Sequence, residues 1–293
     1  MAGLLTPVLL IIFNRPYTTQ LVFDVIRKAR PRKLYIFADG PRLGQELDSV
    51  RVRKVREIVT HVDWDCEVNV LLQEENLGCK NGPYTAMDWF FKHEEEGIIL
   101  EDDCLPDPTF FLYCQEMLNH YRDDTRVMTI SGSDYRNRAS QWPSDRYYFS
   151  YTCITWGWAT WKRSWKCYDI EMELWPKIKK TNLLRSIYPR NIALYWGRIF
   201  DLVYDNRIKT AWDYQWIYSC LINNGLCIFP PRNLIKNIGF GIDSTHCTIG
   251  RKRLSLDVHP VSFPLKHPIL STVIWKQISR FLTVDMPNHS FLF

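Results

Sequence analysis

The sequence predicts an α/β fold, a mostly parallel sheet flanked by helices in doubly wound order. Apolar runs of strand length alternate with segments of helical periodicity through the N-terminal third. The runs are continuously apolar, as strands covered on both faces must be. They also end in polar residues of unusual chemistry, and in such sheets ligands bind at the carboxyl ends of strands.

"PVLLIIF", Pro7–Phe13, reads as the first buried strand and ends at Asn14-Arg15-Pro16. Thr18 or Thr19 can cap a helix whose apolar positions Leu21, Val22, Val25, Ile26 and Ala29 recur at helical spacing until Pro31 stops it. "KLYIFADG" is a second strand ending in Asp39-Gly40, and residues 44–62 are charged and helix-permissive. "EVNVLLQ" is a third strand and "PYTAMDWFFKHEEE" a helix. "GIIL" is a fourth strand, which runs into Glu101, Asp102 and Asp103. A helix "PTFFLYCQEMLNHYRDD" and a short strand "RVMTISG" follow.

The texture then changes. "YYFSYTCITWGWATWKRSW" is aromatic-rich, residues 170–210 read as mixed and helical, and "WDYQWIYSCLINNGL" as one more helix. From Pro230 onward Pro, Gly and His recur with little periodicity, as in a wrapping tail. The expected organisation is a Rossmann-like half over 1–132, a second half of the same domain over 133–250, and a tail over 251–293.

Composition narrows the class. Hydrophobic residues make up 46% and charged residues 24%, which suits a globular chain and excludes disorder. A net charge of +5 suits a phosphate-bearing ligand or an anionic membrane surface and is too small to argue for nucleic acid. The nine cysteines are scattered with no CxxC pair, against both a disulfide framework and a zinc site and in favour of a reducing cytosol. The apolar start lacks a basic leader and a cleavage site, so a cytoplasmic protein is expected, with peripheral contact at the inner face of the plasma membrane as an extension. That contact would come from "ILSTVIWKQISRFLTV", a basic and apolar segment of helical length that could equally dock on the core.

Three carboxylates at a strand end repel one another and call for a cation. A hard divalent ion, Mn²⁺ or Mg²⁺, suits their oxygens and leaves positions for a ligand's phosphates. A solvated surface triplet is the plain alternative, and the preceding "GIIL" weighs against it.

Taken in order, the strand closing on Asn-Arg-Pro, the strand ending in Asp-Gly, the Glu-Asp-Asp triplet, "ITWGWATWKRSW" and "AWDYQWIYSCLINNGLCIFPPRNLIKNIGFG" resemble the GT-A-fold nucleotide-diphospho-sugar glycosyltransferases. The similarity is to the N-acetylglucosaminyltransferases of N-glycan branching and to bacterial hemolysin-like sugar transferases. It implies a metal-dependent, inverting transfer of a sugar from a nucleotide diphosphate, by analogy UDP, to a saccharide or lipid-linked saccharide acceptor. Surface polysaccharide assembly is the setting it suggests.

The resemblance implies residue roles as well. Asn14, Arg15 and Asp39 would border the nucleotide, Glu101 and Asp102 the ribose and donor sugar, and Asp103 the metal. Gly78 and Lys80 fall where a glycine-containing turn passes the donor, and Trp156-Gly157-Trp158 would shape the sugar pocket. His246 lies where some relatives place a metal- or diphosphate-contacting histidine. Asp213 matches the catalytic base, although "TAWD" could also place it as a helix cap. Trp161 and Trp165, at i, i+4, are read as one buried helix face. A sugar nucleotidyltransferase is the main rival, set back by "NRPYTTQ" where such enzymes carry a Gly-rich basic loop; a non-catalytic binding protein of the same fold is the second.

Overall fold

A computed structural model describes residues 3–134, 143–239 and 257–268. The first half alternates as expected: β1 Val8–Ile12, α1 Pro16–Ala29, β2 Lys33–Ala38, α2 Glu46–Thr60, β3 Glu67–Leu72, α3 Gly78–His93 and β4 Glu96–Glu101. A short β5, Cys104–Pro106, precedes α4 Thr109–His120 and β6 Val127–Ser131. The second half holds β7 Tyr148–Ser150, β8 Trp158–Trp161, α5 Lys162–Trp165, α6 Trp175–Ile178, α7 Leu183–Ile187, α8 Arg190–Tyr204, α9 Asp213–Ile222, β9 Leu226–Phe229 and β10 Ile235–Asn237.

Eight strands form one sheet in the order β3-β2-β1-β4-β8-β6-β9-β7. β3, β2, β1 and β4 are parallel, β8 runs antiparallel between β4 and β6, β9 is parallel to β6, and β7 closes the far edge antiparallel. The sheet is thus mostly parallel, with β8 and β7 reversed. The chain leaves β1 toward β2 on one side and returns to β4 on the other, so the topology switches between β1 and β4. Crevices at such points are where ligands bind.

Alternate residues of the buried strands feed two cores. Val8, Leu10, Ile12, Leu34 and Ile36 meet α1, α2 and α4 on one face of the sheet. Leu9, Ile11, Tyr35 and Phe37 meet α3 and the second-half helices on the other. Five neighbouring strand residues with no exposed side chain explain why "VLLII" carries no polar alternation.

Several sequence readings are corrected here. α1 opens on Pro16 at its first turn with no side-chain cap. Thr19 instead donates its hydroxyl to the Arg15 carbonyl at 2.8 Å. α3 begins at Gly78, five residues before the expected Pro83, so Pro83 lies inside the helix, past the first four residues whose amides need no partner, and leaves the Cys79 carbonyl without its i+4 donor. Trp161 and Trp165 do not share a helix face. Trp161 ends β8 and packs in the first core, while Trp165 lies on α5 in the second. The tail is partly structured: β10 pairs with β5, and residues 257–268 are held by Val261 N to Thr109 Oγ1 at 3.1 Å and Lys266 N to the Asp145 carbonyl at 2.7 Å. The segment expected to reach a membrane lies outside the described residues.

Candidate functional site

The switch point gathers the acidic triplet. β1 delivers Arg15 two residues past the strand's flanking Phe13, and its guanidinium Nη1 lies 2.6 Å from Asp103 Oδ2 and 3.5 Å from Asp102 Oδ1. Asp102 is turned inward, where its Oδ2 accepts the Phe13 amide at 3.1 Å. Among the described residues, Arg15 is thus the cation that faces these carboxylates. Burial would lower the Arg15 pKa, yet Asp102 and Asp103 outweigh it and hold the guanidinium above its ordinary value. Asp102 is pushed up by burial, against the pull of Arg15. Glu101 is pushed up by burial and then by Asp103, Asp102 and Asp213. Its carboxylate has no hydrogen-bond donor among the described residues.

That imbalance tests whether a metal fits. No group of three or more His, Cys, Asp or Glu among the described residues is arranged to hold one. Mg²⁺ and Mn²⁺ do not need such a cage, since one or two carboxylates plus ligand phosphates suffice. Glu101 and Asp103, crowded and short of positive charge, fit that open arrangement. His246, the other expected ligand, lies outside the described residues.

The residues expected to border a nucleotide divide into two kinds. Asp39 is directed into the protein: its oxygens accept the amides of Leu77 at 2.8 Å, Gly40 at 2.9 Å and Gly78 at 3.1 Å, and the side chain of Asn76 at 2.9 Å. It ties the end of β2 to the start of α3. Burial nevertheless raises its pKa, with those amides opposing. Asn14 donates to Asp48 Oδ1 at 2.7 Å, and Asp48 Oδ2 also receives Arg42 Nε at 2.6 Å. Asp48 was not singled out from the sequence, where it is one acid in a charged helix. Its 3% exposure and its two partners make it the anchor of this rim.

Gly78 has φ +75°, which explains a glycine at the turn into α3. The Cys79 thiol pKa is raised by burial and then by the Glu101 charge. Lys80 reaches the other half of the chain at Glu171, 3.6 Å away.

Because β8 runs antiparallel to β4, its beginning lies beside the end of β4, with Trp158 opposite Ile99. This register carries Trp156 and Gly157 to the acidic crevice. Gly157 has φ +57°, and a Cβ there would press on Ile235 and Leu100. Trp158 has 0% exposure and lies against Trp212 and Trp216, so it forms the floor and does not touch a ligand. Trp156 is half-buried.

Asp213 is the first residue of α9, and Trp212 takes the cap position. Its Oδ1 accepts the Tyr214 amide at 3.0 Å, and its charge favours the helix N-terminus. It raises Glu101 across the crevice, and after burial it also raises the phenols of Tyr168 and Tyr195. Tyr168 donates to the Trp212 carbonyl at 3.1 Å and braces this helix start. Tyr168 and Tyr195 were not read as site residues, since two tyrosines among fifteen carry no local signal.

No protein-family model and no curated protein matches the sequence. Solved structures give partial likenesses. HddC from Yersinia pseudotuberculosis aligns over 43% of this chain and 57% of its own, at 8% identity and TM-score 0.29. The inositol-1-phosphate CTP transferase from T. maritima aligns over 78% and 86%, at 9% identity and TM-score 0.37. A UDP-glucose pyrophosphorylase complexed with UDP-glucose aligns over 47% and 61%, at 10% identity and TM-score 0.26. The chain thus spans less than two thirds of the first and third of these, and no activity is carried over from any of them.

Proposed function

We propose that this chain is a glycosyltransferase that uses a nucleotide-diphospho-sugar donor. The observation that supports the reading is that two acidic groups far apart in the chain, Glu101–Asp103 at the end of β4 and Asp213 at the start of α9, are near enough for the Asp213 charge to raise the Glu101 pKa. Sugar transfer needs both, since one acidic group handles the donor's diphosphate through a cation and the other takes a proton from the acceptor. Arg15, already among the carboxylates, supplies fixed positive charge.

Asp103 and Glu101 would hold Mn²⁺ or Mg²⁺, which would supply Lewis-acid stabilisation of the departing diphosphate. The acceptor hydroxyl oxygen attacks the anomeric carbon as the bond to the diphosphate oxygen breaks. Its proton passes to the Asp213 carboxylate, and the configuration inverts. A positioned carboxylate of this kind contributes about 10²–10⁴-fold. Trp156 lines the sugar side, Asn14 and Asp39 stiffen the nucleotide rim, and Lys80 and Gly78 border it. A uridine base and a saccharide or lipid-linked saccharide acceptor complete the reading.

Calorimetric titration of nucleoside diphosphates, with and without Mn²⁺, tests it on the wild type, Asp103→Ala and Asp213→Asn. Metal-dependent binding of one nucleotide is expected, lost in Asp103→Ala and kept in Asp213→Asn. Donor turnover should fall at least about 10²-fold in Asp213→Asn. Binding that ignores both the metal and Asp103 overturns the reading. Pyrophosphate release from a nucleoside triphosphate and a sugar phosphate would assign nucleotidyl transfer in its place.

A further inference from the structure

The positive charge of this protein is not spread evenly. Between Leu174 and Lys209 stand eight Lys and Arg against two Asp, so this segment alone exceeds the whole chain's net charge of +5 and the remainder is near neutral. The segment comprises α6, α7 and α8, and all eight basic residues are exposed. One of the two acids is already used: Asp201 receives Lys179 at 2.7 Å and the Trp175 indole at 3.0 Å. Glu171, just outside the segment, is turned to Lys80.

The three helices form one surface. The bonds of Lys179 and Trp175 to Asp201 lay α6 on α8, and Leu184 lies against Gly197 where α7 crosses it. α8 is strongly two-faced. Ile192, Ala193, Trp196, Ile199, Phe200 and Val203 enter the core, while Arg190, Leu194 and Arg198 follow one another at i, i+4 and i+8 on the outside. Among the charges stand exposed apolar side chains: Leu174 at 46%, Leu194 at 57% and Tyr204 at 45%. Aliphatic groups inside a basic field suit lipid, into which they can insert beside anionic headgroups. A strand of nucleic acid would call for a row of aromatic platforms, and Tyr204 is the single exposed large aromatic here. No helix among the described residues is long and apolar enough to cross a membrane, so the fit is to a surface.

We infer that the α6–α8 surface docks this protein on an anionic lipid bilayer. The site follows from charge segregation and exposure and does not depend on the transferase reading. It also differs from the C-terminal segment to which the sequence pointed. α8 packs on α9, the helix that begins at Asp213, so docking would bring lipid within one helix of the candidate site.

Flotation of the full chain with phosphatidylcholine vesicles, with and without phosphatidylglycerol, tests the inference. Partition onto the anionic vesicles should exceed that onto neutral ones by at least about tenfold and weaken with salt. The variant Lys177→Glu/Lys180→Glu/Arg185→Glu should lose at least about 10²-fold, at roughly fivefold for each basic charge removed. Leu194→Ser should weaken binding further at high salt, where insertion outlasts charge. Lys28→Glu/Arg53→Glu/Lys54→Glu, an equal charge change on exposed positions of α1 and α2, should bind as the wild type does. Equal partition onto both vesicles, no effect of the α6–α8 reversal, or equal loss in the control variant would overturn the inference. Retention of poly(U) RNA with no vesicle binding would overturn it in favour of nucleic acid.

Discussion

Arg15 and Asp48 show how much of the site rests on single charges. Replacing Arg15 by Leu leaves the buried Asp102 and the half-buried Asp103 without that cation, and removing one partner of a buried pair typically costs about 3–5 kcal/mol. Urea unfolding of Arg15→Leu in metal-free buffer should show that loss, and Mn²⁺ should restore part of it. A loss indifferent to Mn²⁺ would count against a cation site on the triplet. Asp48 is the acid-sensitive residue. Arg42, and then Asn14, hold its pKa below the ordinary aspartate value against the effect of burial. The stability it contributes is therefore complete above the unfolded-state pKa of about 3.9 and disappears as pH falls through the lower folded value. Arg42 is 49% exposed, so solvent screening keeps the contribution near 1 kcal/mol. Asp48→Asn should be about 1 kcal/mol less stable than the wild type at pH 7, with the gap closing at pH 3. An undiminished gap at pH 3 would mean the loss is one of packing.

At the scale of the element, β8 decides the shape of the crevice. It enters the sheet against the direction of β4, and only that direction puts Trp156-Gly157 beside Glu101. Gly157 makes the entry possible, since it combines a positive φ with contact against Ile235 and Leu100. Gly157→Ala should cost about 1–3 kcal/mol through strain and overpacking. Adding Ile235→Val should recover part of it, read as the midpoint of a thermal melt. No recovery would place the whole cost in the backbone conformation. α3 carries a similar constraint at its start, where Gly78 turns the chain at φ +75° while its amide and that of Leu77 bind Asp39.

For the molecule as a whole, the packing of α9 against β8 and α5 is aromatic. Trp158 from β8 meets Trp216 from α9 at a centroid distance of 5.5 Å, and Trp165 meets Trp216 at 5.5 Å as well. This packing fixes the helix that presents Asp213. A double-mutant cycle of Trp158→Phe and Trp216→Phe should therefore show a coupling of about 0.5–1.5 kcal/mol in unfolding free energy. Additive losses would mean that each ring is held independently, and Asp213 would then owe its position to other contacts such as Tyr168.

The α/β alternation, the strands β1 to β4, the helices between them and the placing of Asn14-Arg15, Asp39 and Glu101–Asp103 at strand ends were all legible in the sequence. These follow from local periodicity and from where apolar runs stop, which neighbouring residues alone dictate. The sequence also marked Asp213 at a helix start, while leaving open whether it caps that helix. Short strands such as β5, β7, β8 and β9 were missed, because three or four residues carry too little periodicity to be told from loop. Other features depended on which strands became neighbours. Arg15 became the counter-charge of the triplet because β1 pairs with β4. Asp39 turned inward because the chain before α3 passes over the end of β2. Trp158 went to the floor while Trp156 stayed at the rim, since the positive φ of Gly157 between them breaks the alternation that would put both on one face. Such contacts join residues dozens of positions apart, and no local pattern encodes them. The sequence by itself determined which chemistry stands at the strand ends; only the tertiary structure decided which of those groups face one another.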